Sequence, residues 1–269
     1  MKDNVIIITG ASSGIGFALA SELAQRGAVL ALGARNGQKL EEMVRDFSRR
    51  GVTSIAVPTD VSREDECRNL VQKTVEAFGR VDVLINNAGI SMRALFEDLD
   101  LKVLHQLMDV NFWGTVYCTK YALPHLLQSR GSVVGIISVA GYIGLPGRTG
   151  YAASKFAIRG FLDTLRCENR KKGLHVLVAA PGFTSSNIRN LSLTADGTPQ
   201  GTTPRDEGKM MTAEEAARRI VRAIEKRKRS LILTFLEGKF TVFLNKFCPS
   251  LVDRLAYEHM AKEPDSPFK

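Results

Sequence analysis

Thr9-Gly10-Ala11-Ser12-Ser13-Gly14-Ile15-Gly16 follows the apolar run Val5–Thr9 and opens onto a stretch of helical period, Ile15–Arg26. Glycine tolerates a tight turn between strand and helix and lets backbone approach a ligand closely, while the amides of the first helical turn point outward at an anion. The stretch therefore reads as a pyrophosphate cradle. Its spacing, Gly10-x-x-x-Gly14-x-Gly16, differs from the Gly-x-Gly-x-x-Gly of the dinucleotide fingerprint.

Beyond this unit, apolar β-branched runs alternate with amphipathic stretches almost throughout, the pattern of βαβ units and a parallel sheet. The predicted strands are Val5–Thr9, Val29–Ala34, Ser54–Val57, Val83–Asn86, Ser132–Ser138, Val176–Ala179 and Leu231–Thr234. Helical period covers Ile15–Arg26, Gln38–Arg50, Arg63–Phe78, two adjacent stretches around Leu101–Met108 and Phe112–Gln128, then Ala152–Lys172 and Ala213–Lys228. Strands and helices in this order predict an α/β, doubly wound parallel seven-stranded sheet whose ligands lie beyond the carboxyl ends of the strands, where strand order reverses. No linker or repeat divides the 269 residues, so one domain is expected: residues 1–235, with 236–269 as a C-terminal extension. The segment Phe183–Met211 is too long for an ordinary connection and reads as a functional lid.

Tyr151-Ala152-Ala153-Ser154-Lys155 sets a phenol and an ammonium at i, i+4, on one helix face. A cation at about 4 Å is worth only ~1 kcal/mol in water but ~4 kcal/mol at an effective dielectric near 20. At roughly 1.36 kcal/mol per pKa unit, the second figure brings a tyrosine close to neutrality, so the pair suits acid/base work in a partly dry cleft. Ser138, at the end of the fifth strand, offers a second hydrogen bond to the oxygen that Tyr151 would protonate.

These pieces together resemble the short-chain dehydrogenase/reductase superfamily, and the resemblance spans nearly the whole chain. Besides the glycine turn it rests on Asp60-Val61 after the third strand, Asn86-Asn87-Ala88-Gly89 after the fourth, Asn111 in a helix, Ser138, Tyr151-x-x-x-Lys155, and Pro181-Gly182-Phe183-Thr184 after the sixth strand. The resemblance implies a Rossmann-type fold, a nicotinamide cofactor, and hydride exchange with a small-molecule carbonyl or alcohol. It also implies a catalytic tetrad of Asn111, Ser138, Tyr151 and Lys155, with Asn111 holding a water in a proton relay that reaches Lys155. The cofactor would lie against Gly10, Ser12, Ser13, Gly14, Ile15 and Gly16, against Asp60 and Val61 at the adenine, along Asn87, Ala88 and Gly89, and against Tyr151, Lys155, Pro181, Gly182, Phe183 and Thr184. The long C-terminal tail, without the Asp-Gly-Gly finish of carrier-protein ketoacyl reductases, looks closer to hydroxysteroid and retinoid-like reductases and to 3-ketosphinganine reductases. That likeness favours a lipophilic ketone.

An enzyme selective for NAD places an acid about 20 residues past the glycines, where it accepts from the adenosine 2′-hydroxyl and repels a 2′-phosphate. Here Ala34 stands at that place and Arg35 follows, a planar fork suited to phosphate. NADP(H) is the expected cofactor.

The formal net charge of +9 fits an anionic cofactor or an anionic membrane surface. Nucleic acid is not expected, because the basic runs Arg170-Lys171-Lys172 and Lys226-Arg227-Lys228-Arg229 fall at helix ends without interleaved aromatics. Cys67, Cys118, Cys167 and Cys248 show no metal spacing, so no metal site is expected, and they suit a reducing cytosol. No signal-peptide core and no run of eighteen apolar residues occurs, so a cytoplasmic protein is expected, as a homodimer or homotetramer, membrane-associated if at all through its tail. Phe240, Phe243, Leu244 and Phe247 recur there at helical spacing beside Lys239 and Lys246, a stripe that must meet the protein's own cleft, another subunit or a membrane interface. Two other readings stay open: a catalytically idle NADP-binding regulator, and a peripheral membrane scaffold.

Overall fold

The computed structural model describes the chain apart from residues 185–187, 202–207, 209, 264–265 and 269. Among the described residues the strands are β1 (Val5–Thr9), β2 (Val29–Ala34), β3 (Ser54–Pro58), β4 (Val83–Asn86), β5 (Ser132–Ile136), β6 (His175–Ala180) and β7 (Ser230–Ile232). They form one sheet in the order β3-β2-β1-β4-β5-β6-β7, with every pair parallel. The order reverses between β1 and β4, and a ligand crevice is expected at their carboxyl ends.

Both sheet faces are covered, which is why the strands read as continuous apolar runs rather than alternating ones. Ile6 and Ile8 face the layer of α1 (Gly14–Gln25), α2 (Gly37–Arg49) and α7 (Ala213–Glu225). Ile7 faces that of α3 (Glu64–Phe78), α5 (Gly114–Gln128) and α6 (Thr149–Glu168). Side chains set several boundaries. Asn36 caps α2 by accepting from the Lys39 amide, and Thr212 caps α7 by accepting from Glu215. Two boundaries differ from the sequence reading in ways that bear on the site. β5 stops at Ile136, because Ser138 leaves the ladder to accept the Ala140 amide at 3.2 Å and start a short 3-10 turn. α6 starts at Thr149, not Ala152, which puts Tyr151 in its first turn. The two helical stretches expected around residues 101–128 form one continuous run: α4 (Leu101–Leu107), a π-helical turn Met108–Trp113, then α5.

After β7 the chain makes a π-helical turn Phe235–Phe240, the short α8 (Thr241–Leu244) and α9 (Pro249–Ala261). Val242 and Val252 turn inward onto Val139 and Ile143. The expected stripe divides: Leu244 packs on this cluster, while Phe240, Phe243 and Phe247 point outward. Residues 185–187, 202–207 and 209 of the expected lid, and with them Ser185 and Ser186, lie outside the described residues. Among the described residues all cysteines are free, no cluster of metal-ligating groups occurs, and no helix is long and apolar enough to cross a membrane.

Candidate functional site

A cleft of roughly 650 Å3 opens at the carboxyl ends of the strands and runs from Arg35 past the glycine turn to Tyr151. Its cradle end is built for close approach. Gly10 (φ +65°) and Gly14 (φ +51°) hold left-handed backbone, and a Cβ on Gly16 would fall 2.2 Å from the Gly10 carbonyl oxygen. Ser13 makes no side-chain cap and α1 has no acid in its first turn, so its leading amides stay available to an anion. Thr9 braces this turn: its Oγ1 accepts the Asn87 and Ala88 amides, both at 3.0 Å. Asn87 spends its side-chain amide on the Thr9 and Gly10 carbonyls at 3.0 and 3.3 Å, which makes it a strut of the cradle.

At the far end of the cradle Arg35 is exposed beside Ala34, lines the cleft and enters no described ion pair. Asp60 also lines the cleft, with Oδ1 accepting from the Ser62 amide and hydroxyl and its own amide donating to Glu66. Ser12, Ile15, Val61 and Gly89 line the same wall. The residues fit a dinucleotide: a glycine floor that side chains would fill, uncapped helix amides to meet a pyrophosphate, and the exposed Arg35 beyond them.

Tyr151, Ser138 and Lys155 converge at the other end of the cleft. Burial pushes the Tyr151 phenol above its usual range, opposed first by its hydrogen bond with Ser138 and then by the charge of Arg148. Lys155 is buried and donates to the Ile136 carbonyl at 3.0 Å, with Nζ 5.7 Å from the Tyr151 ring centre. Burial lowers its pKa to about 8. Two cations thus stand by the phenol, Lys155 at the i, i+4 spacing and Arg148 just before the start of α6. Asn111, fully buried in the π-helical turn, accepts from the Ile90 amide at 2.8 Å and donates to the Ile90 carbonyl and Ser154 Oγ. Gly89 runs between it and the lysine: a Cβ there would meet Asn111 Oδ1 at 3.1 Å and Lys155 Nζ at 3.3 Å. Asn111 therefore ties the loop after β4 to α6.

Pro181, Gly182, Phe183 and Thr184 follow β6 along the cleft. Gly182 is pressed against Thr234, and buried Thr184 donates to the Gly182 carbonyl at 3.3 Å. The sequence reading missed the wall beyond Tyr151. There Val110, Leu145, Ile188, Leu191 and Leu193 line the cleft with Arg148 and Arg189. Arg148 donates to the Met92 carbonyl, and Arg189 donates to that of Thr184 at 3.0 Å. The one available signal was the position of Arg148, three residues before Tyr151 at the start of a helix.

The geometry has counterparts among known proteins. Dehydrogenase/reductase SDR family member 7B of Mus musculus is 33% identical over an alignment of 271 positions, which covers 99% of this chain and 84% of the relative. 11-beta-hydroxysteroid dehydrogenase 1A of Arabidopsis thaliana is 42% identical over 186 positions, 68% of this chain and 53% of that protein. Among solved structures, an alcohol dehydrogenase from the archaeon Thermococcus sibiricus complexed with 5-hydroxy-NADP superposes with a TM-score of 0.76 at 28% identity, covering 86% of this chain and 96% of that one. A short chain dehydrogenase/reductase from Burkholderia phymatum in complex with NAD gives 0.83 at 25% identity, covering 93% and 95%. The profile described as short chain dehydrogenase matches residues 4–196, a span that holds the glycine turn, the loop after β4, Asn111, Ser138, Tyr151 and Lys155. A match of that extent makes this chain a member of the short-chain dehydrogenase/reductase family of oxidoreductases.

Proposed function

We propose that the protein is an NADP(H)-dependent carbonyl reductase or alcohol dehydrogenase acting on a lipophilic ketone or secondary alcohol. The observation that carries the reading is the convergence of Tyr151, Ser138 and Lys155 at one end of a cleft whose other end holds Arg35. Gly10, Ser12, Gly14, Ile15 and Gly16 would hold the pyrophosphate, Arg35 the 2′-phosphate, Asp60 the adenine, and Thr184 the nicotinamide amide. When bound, the cofactor donates or accepts the hydride. Reduction of a ketone leaves negative charge on the carbonyl oxygen, so a proton donor must sit there. Tyr151 donates that proton, and Ser138, whose hydroxyl acts on the phenol, holds the same oxygen in place. Lys155 is fixed on the Ile136 carbonyl and keeps donors for the cofactor ribose. The apolar wall of Val110, Leu145, Ile188, Leu191 and Leu193 supports a lipophilic substrate.

Two measurements test this reading. With a panel of ketones spanning ketoesters, ketosteroids, retinal and long-chain ketones, Tyr151→Phe is expected to lower turnover at least ~100-fold while NADPH binding, followed by fluorescence, survives. Near wild-type turnover in that variant overturns the assignment, and a wild type that binds NADPH but turns over no carbonyl favours the idle regulator. Arg35→Asp replaces a phosphate partner with a repelling charge, so NADPH affinity is expected to fall at least ~10-fold while NADH affinity holds or improves. Tighter binding of NADH than NADPH by the unaltered protein rules out the cofactor choice.

A further inference from the structure

The largest apolar side chains that the fold leaves in water are concentrated after β7. Phe235 and Phe247 are 70% exposed, Leu236 69%, Phe243 59% and Phe240 50%. Leu251, Leu255 and Tyr257 of α9 are exposed as well. Soluble surfaces scatter such residues singly, and a contiguous group of them marks a face that meets something. Phe240 and Phe243 stand at i, i+3 where the π-helical turn runs into α8, and the ring of Phe247, in the turn after α8, lies 5.1 Å from that of Phe243. Val242 and Gly238, on the opposite side, are buried. The aromatic side is therefore the outer side of a firmly seated element.

Lys239 and Lys246 decide what covers it. Both are exposed and adjoin exposed rings, Lys239 next to Phe240 and Lys246 next to Phe247, at the edge of the aromatic side. Neither enters an ion pair among the described residues; the exposed cation of α9, Arg254, is taken by Glu258 at 2.8 Å. Glu237 is two residues from Lys239, a spacing that does not bring side chains together on a helix. A second copy packed across this face would bring two further ammonium groups of the same sign to its edge and offer them no acid among the residues of the face. An anionic bilayer imposes no such cost. Phenylalanine and leucine enter the boundary between headgroups and acyl chains while the lysine stems lie along it and carry their charges to lipid phosphates.

We propose that the outer face of residues 235–247, with Phe235, Leu236, Phe240, Phe243 and Phe247 inserted and Lys239 and Lys246 at the headgroups, docks the protein on an anionic membrane surface. The face adjoins the substrate end of the cleft. Thr234 presses on Gly182, the Phe183 ring lies 6.3 Å from that of His259 in α9, and Val242 packs in the cluster that includes Leu145.

The test is flotation of the whole chain with vesicles of phosphatidylcholine containing phosphatidylserine, and with vesicles of phosphatidylcholine alone. The protein is expected to float with the anionic vesicles, less at high salt, and at least ~10-fold less with the neutral ones. Phe243→Ser combined with Phe247→Ser is expected to lower partitioning at least ~10-fold, and Lys239→Gln combined with Lys246→Gln to lower it by roughly 10- to 30-fold on the anionic vesicles only. NADPH binding measured on each variant confirms that the fold persists, and because flotation needs no turnover the outcome is independent of the catalytic reading. Absence of the unaltered protein from the anionic vesicle fraction overturns the proposal. So does a phenylalanine pair whose replacement leaves partitioning unchanged, or one whose replacement converts an oligomer to monomer by sedimentation in a protein that does not float, which would make this face an interface between copies.

Discussion

Tyr151 is held between opposing influences. Burial disfavours the phenolate, while the Ser138 hydroxyl and the Arg148 guanidinium favour it. Lys155, the residue whose spacing invites the same role, is engaged with a backbone carbonyl and is itself pushed down to about 8 by burial. Arg148 also donates to Met92, in the loop after β4, so it joins the start of α6 to the loop that carries Gly89. Arg148→Met removes a cation and is expected to raise the Tyr151 pKa further. Alcohol oxidation needs the phenolate and carbonyl reduction the phenol, so in both directions the Tyr151 limb of the kcat/KM profile should move to higher pH. Arg148→Lys keeps the charge but not the fork, and should restore the limb. A pH profile unchanged in Arg148→Met would assign the residue to holding Met92 alone.

At the scale of elements, what sequence made legible was set by local chemistry and what it hid was set by distance. β1, β2 and β4 fall where the apolar runs predict them, because a strand buried on both faces has sharp edges in composition. The glycine turn was legible because only glycine fits its backbone at Gly10 and its contact at Gly16. Errors came where a side chain took over from the ladder. Ser138 leaves β5 to cap the following turn, and α6 begins directly after left-handed Gly147 and Arg148. The π-helical turn Met108–Trp113 has no compositional signature, yet it seats Asn111, completely buried, against Ile90 and Ser154. Most of the residues at the cradle and acid/base ends were readable, since the motifs sit at strand ends and helix starts. The apolar wall of the cleft was not: Met92 bridges to Leu193, and Arg148 reaches Met92 across 56 residues, pairings that no local spacing announces.

On the whole molecule, a second apolar surface lies away from the C-terminal face, on the outer sides of α5 and α6. Phe112 meets Trp113 and Phe161 edge-on at 5.3 and 6.4 Å, and Trp113 stacks on Tyr117 at 5.6 Å. Around them Trp113 and Phe156 stay 43% and 42% exposed, beside a shallow hollow lined by Ala157, Gly160 and Phe161. Here the small residues leave room for another helix to approach, and the aromatic rings supply the anchors that interfaces favour. Two such helices meeting their own copies across a two-fold axis form a closed four-helix contact, so a homodimer is expected in solution. Gly160 supplies a clean probe, because a Cβ there meets nothing within 4 Å and the helix gains propensity when glycine is replaced. Gly160→Glu should therefore fold, bind NADPH as before, and weaken dimerisation at least ~100-fold by placing two carboxylates against each other in an apolar contact. Sedimentation velocity on both proteins reads the result. A monomeric unaltered protein, or a Gly160→Glu variant that stays dimeric, would remove this face as the subunit contact. Vesicle flotation of the same variant should be unchanged, since the residues that meet the bilayer lie on a different element.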